Sequence, residues 1–71
     1  MNGIEELYAG ISEISREQKI TGKSRIEDFM AEIVIASLQR IPKKTIKEVV
    51  EKSGLDAEIE QDLVSYINGI G

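Results

Sequence analysis

Seventy-one residues, with 13 acidic against 9 basic side chains and 41% apolar content, describe one small domain of net charge −4, too short to bury more than about 60% of the surface its unfolded chain exposes. The chain has no cysteine and no histidine, which removes disulfide staples, thiolate and imidazole metal ligands and the commonest nucleophile–base pairs. An enzyme is therefore not expected and no cofactor is implied. Abundant Ile, Leu, Val, Glu and Lys, with one Pro and only Tyr8, Phe29 and Tyr66 as aromatics, predict an all-α globular fold.

The first helix is expected near residues 3–17. Asn2 and Glu5 have capping-box spacing, and Ile4, Leu7, Tyr8, Ile11 and Ile14 recur at helical intervals. Gly10 lies inside it, and a mid-helix glycine, which costs about 1 kcal/mol relative to alanine, is usually compensated by close approach of another helix. "KITGK" at 19–23 then interrupts the periodicity and reads as a helix–helix connection.

Ser24 and Glu27 form a second capping box that opens a helix near 25–41, the longest and the expected centre of the bundle. Its stripe would be Ile26, Phe29, Met30, Ile33, Val34, Leu38 and Ile41. Ile35 falls off that stripe, beside Asp28, Glu32 and Gln39 at helical spacing. It is either an isolated exposed side chain, which is ordinary, or a candidate dimer contact.

Pro42 ends the second helix or begins the third, which is expected near 45–53 with Thr45 and Glu48 as a capping box and Ile46, Val49 and Val50 as its buried edge. Gly54 stops it. A left-handed Gly54 would let Leu55 close against Val50 in a Schellman ending. Asp56 should cap the last helix, near 57–68, with Ile59, Leu63, Tyr66 and Ile67 facing inward and Gly69 at its end. Four helices in a small bundle result.

Charge comes in blocks. Residues 1–15 carry −3, 16–25 carry +3, 26–39 carry −3, 40–47 carry +4 and 48–71 carry −5, so two basic patches stand in an acidic protein. The cluster Arg40, Lys43, Lys44 and Lys47 is the most suggestive, because cations at a helix start oppose the macrodipole. Such a break of a local rule often marks function, here a phosphate or a partner's carboxylates. Asp56, Glu58, Glu60 and Asp62 form a candidate acidic interaction face on the last helix.

Two apparent motifs fail. "TGKS" at 21–24 resembles the tail of a phosphate-binding loop, but the Gly required five residues before Gly22 is Glu17. The alternating acids from Asp56 resemble a calcium loop, yet Gln61 replaces the turn glycine and Ile67 the bidentate glutamate. No metal is expected.

From Ile33 to Ile67, "IVIASLQRIPKKTIKEVVEKSGLDAEIEQDLVSYI" resembles the three-helix core of helix-turn-helix and winged-helix regulators, without a wing, over about half of the chain. The resemblance implies that Thr45 opens a positioning helix, Gly54 and Leu55 form the turn, and the segment from Asp56 is the recognition helix, where Gln61, Ser65 and Asn68 would reach bases. Its acids would be repelled by phosphates. The function expected is thus a small non-enzymatic regulatory or adaptor protein that binds another protein, or itself as a homodimer, through charged helix faces. The alternative is a DNA-binding regulator that grips phosphates with Arg40–Lys47.

The apolar run "IVIASL" at 33–38 is far below the roughly 18 residues of a membrane span. Glu5 and Glu6 stand where a secretory leader would be basic. No membrane association is expected, and the expected location is the cytoplasm.

Overall fold

A computed structural model describes residues 3–23 and 25–70. Among them the chain forms four α-helices and no strand: α1 (Gly3–Thr21), α2 (Ile26–Leu38), α3 (Lys43–Lys52) and α4 (Ala57–Gly69). α1 packs against α2 and α3, α4 packs against the same pair, and α2 also touches α3. The two middle helices therefore share the interior positions of the bundle.

Each helix delivers its apolar positions to one core. Leu7 and Ile11 come from α1, Phe29, Ile33 and Ala36 from α2, Ile46, Val49 and Val50 from α3, and Leu63 and Ile67 from α4. Ile4, Tyr8, Ile14, Met30, Ile41, Leu55, Ile59 and Tyr66 are partly buried around them. Among the described residues no polar or charged side chain is buried, so every described charge stays in or near water, free of the cost of desolvating an ion.

Gly10 sits where α1 meets α2. A methyl group added there would come within 2.7 Å of the Glu32 carboxyl carbon and its Oε2, which is the close approach expected of a mid-helix glycine.

α4 and the start of α1 fall where the sequence reading put them, and three other helix ends differ for identifiable reasons. α1 runs to Thr21 instead of ending near 17, because Ile20 and Thr21 continue the helix until Gly22 adopts φ 72° and donates its N–H to the Gln18 carbonyl at 2.8 Å, an αL ending. Gln18 Nε2 also donates to the Arg25 carbonyl at 2.8 Å, tying the loop back to the helix. α2 stops at Leu38, not near 41. Arg40 takes φ 65°, its N–H bonds the Ser37 carbonyl and the Ile41 N–H bonds that of Ala36, which together make a Schellman ending. Pro42 then restricts Ile41 to extended backbone.

α3 begins two residues before Thr45. Pro42, at φ −59° and ψ 143°, occupies the N-cap position and its carbonyl already accepts the Ile46 N–H, so Thr45 lies inside the first turn and is not the cap. Asp56 does hold the N-cap position of α4, but its side chain makes no capping hydrogen bond. Asn2 and Ser24, the other two expected caps, lie outside the described residues. Gly54 adopts φ 70° as expected, after Ser53 Oγ has donated to the Val49 carbonyl at 2.6 Å.

One packing expectation is overturned. Val34 and Leu38 do not belong to the buried stripe of α2: Val34 is 39% and Leu38 78% exposed. The buried arc is centred on Phe29, Ile33 and Ala36, and at about 100° per residue both side chains point well away from it.

Candidate interaction surfaces

The basic cluster is divided between two kinds of backbone. Lys43, Lys44 and Lys47 belong to the first half of α3, whose first turn contains no acidic residue, whereas Arg40 lies in the turn before it with left-handed backbone. Arg40, Lys43 and Lys44 are exposed and Lys47 is half-buried. Three lysines therefore crowd the positive end of the α3 dipole, an arrangement that costs tenths of a kcal/mol per charge at a surface.

The acidic face is narrower than four residues. Glu58 and Asp62 are exposed one turn apart on α4, Asp56 is exposed just before it, and Glu60 is half-buried on another side, as helical rotation requires of alternating positions. Ala57, Gln61, Ser65 and Asn68 complete the outward side of α4. That side carries no cation.

Ile35 is 49% exposed, as its position off the stripe implied, but it is not isolated. Ala31, Val34 and Leu38 are exposed on the same helix, and their spacing of three, four and seven residues from position 31 places all four on one side. The sequence reading missed this second stripe because Val34 and Leu38 also fit the first; the spacing of 31, 34, 35 and 38 was the available signal. Ile20, 78% exposed on α1, has no such companions on its helix.

"TGKS" forms no cradle among the described residues. Thr21 Oγ1 donates to the Gln18 carbonyl at 3.5 Å and accepts the Lys23 N–H at 3.4 Å, so these groups serve the local turn, and Ser24 lies outside the described residues. A shallow depression of about 220 Å³ between the end of α1 and the α3–α4 turn brings Lys19 and Lys23 near Asp56, a meeting of basic and acidic blocks that sequence spacing did not reveal. Among the described residues, no group of three or more metal-ligating side chains is placed to hold an ion, and no helix is long and apolar enough to cross a membrane. Compared with known proteins, the chain matches no family model, no curated protein and no solved structure.

Proposed function

We propose that this protein is a small non-enzymatic regulatory or adaptor module of the cytoplasm that works by binding another protein. The observation that carries the reading is the outward side of α4, where Glu58 and Asp62 stand exposed one turn apart with no basic residue among them. A surface of this charge is complementary to Lys- and Arg-rich protein surfaces and repels phosphate backbones. Like charges at i, i+4 cost the helix about 0.2–0.5 kcal/mol, which the dipole's preference for an acid at Glu58 in the first turn offsets, so the helix carries this charge without loss.

The test is affinity capture from the native source with and without nuclease, using the natural chain and the Asp62→Lys variant. A protein retained by the natural chain, unaffected by nuclease and lost with Asp62→Lys is the expected result. Because that substitution creates a favourable i, i+4 pair with Glu58, it should raise stability by about 0.5 kcal/mol while removing the partner, so a loss of capture cannot be blamed on unfolding. Retention of the same partner by the variant sinks the reading.

A second reading draws on the exposed Lys43 and Lys44. With the helix-turn-helix resemblance, they would grip phosphates while α3 and α4 lie along DNA. It requires gel-shift binding that falls steeply with salt and disappears in Lys43→Glu/Lys44→Glu; no binding at low salt rejects it.

A further inference from the structure

We propose that the outward side of α2 is the contact surface of a two-fold, antiparallel homodimer. Ala31, Val34, Ile35 and Leu38 form an exposed apolar stripe on that side, and the stripe is self-complementary. With the two-fold axis midway between Val34 and Ile35, Val34 of one copy meets Ile35 of the other, and the small Ala31 meets the long Leu38. Leu38 thus packs over the small Ala31 at each end of the contact, while Val34 and Ile35, similar in bulk, face each other across its centre.

Charge selects this direction of pairing. Glu27 and Asp28 occupy the first turn of α2, while Arg40 and Lys43 follow its end, and all four are exposed. Reversal about the same axis places the acidic start of each α2 close to the basic end of the other, so both rims of the apolar stripe gain attraction. A parallel pair would set acid against acid and base against base, and would also align the two helix dipoles. The contact is isologous, as closed two-fold dimers require. A second copy of this chain is therefore the one partner whose apolar pattern and end charges are both matched by the surface itself.

This inference deepens the reading of the chain as a binding module and rests on it only in that both are surface associations, since α2 and α4 present separate surfaces. The decisive measurement is solution mass by sedimentation over roughly two decades of concentration up to about 1 mM, a range suited to a small interface. The mass should rise from that of the 7.9 kDa chain toward twice that value. Ile35→Glu and Leu38→Glu, at positions already in water, should hold the protein monomeric at every concentration with unchanged helical circular dichroism. Glu58→Gln/Asp62→Asn should dimerise as the natural chain does, so loss of the α4 partner and loss of the dimer are separate results.

Direction is tested by cysteine cross-linking, clean here because the chain has no native cysteine. An equimolar mixture of Ala31→Cys and Leu38→Cys should form the mixed disulfide, and Leu38→Cys alone should not, because its two copies lie about 10 Å apart along the axis. A monomer throughout, a dimer indifferent to Ile35→Glu, or efficient self-cross-linking of Leu38→Cys overturns the proposal.

Discussion

At Arg40 a long cationic side chain occupies a backbone conformation that glycine would hold more cheaply. Its φ of 65° makes it the single non-glycine residue with positive φ among the described residues, at the position after α2 where the Schellman turn is formed. L-residues pay a strain of about 1 kcal/mol in the left-handed region. Arg40→Gly should therefore stabilise the fold by about 0.5–1 kcal/mol, less what the unfolded chain gains in entropy, as read from urea denaturation midpoints. The same change removes a cation from the end of α2 and should weaken self-association several-fold. A variant that is both less stable and equally dimeric would show that the arginine serves local structure instead. The sequence marked this residue only as part of a basic cluster; its backbone strain belongs to the Schellman turn that ends α2, and was legible only once the helix end was fixed.

Among elements, the existence of all four helices could be read from apolar spacing, and so could the start of α1, the stop of α3 before Gly54 and the span of α4, whereas the end of α1, the end of α2 and the start of α3 could not. Periodicity reports a face averaged over many residues, whereas a helix stops at one residue, through hydrogen bonds such as those made by Gly22 and Ile41. The orientation of α2 was half legible for a related reason. Its apolar residues surround much of the helix, so Phe29 and Ile33 on one side and Val34 and Leu38 on the other fit one broad stripe until the neighbouring helices decide which side is buried. A close approach at Gly10 was legible, because a glycine inside a helix has one common explanation, but that the approaching helix is α2 was not. What its missing side chain accommodates is the end of Glu32, a flexible and partly exposed group that can swing aside. Gly10→Ala should thus gain most of the helix-propensity difference, about 0.5–1 kcal/mol, with a corresponding rise in thermal midpoint. A loss of 1 kcal/mol or more would mean that the Glu32 carboxylate is held in place and the helix spacing cannot relax.

For the molecule as a whole, ten buried apolar residues among those described must stabilise a chain of 71. Domains of this size keep only a small surplus over conformational entropy, and self-association is one of the few additions open to a chain without disulfides. Covering Val34, Ile35 and Leu38 in a dimer would remove from water the large apolar groups that the bundle leaves outside on α2. Binding that is confined to the folded state raises stability by mass action. Once the chain is mostly dimeric, each tenfold increase in concentration contributes about 1.4 kcal/mol per dimer, or about 0.7 per chain. For a domain of this length that corresponds to a thermal midpoint about 3–5 °C higher per decade. Calorimetry on the natural chain should show that dependence, and Ile35→Glu should melt at a single temperature whatever its concentration. Equal midpoints for the natural chain across two decades would mean that the ten-residue core alone carries the fold, and that the α2 stripe contributes nothing to its stability.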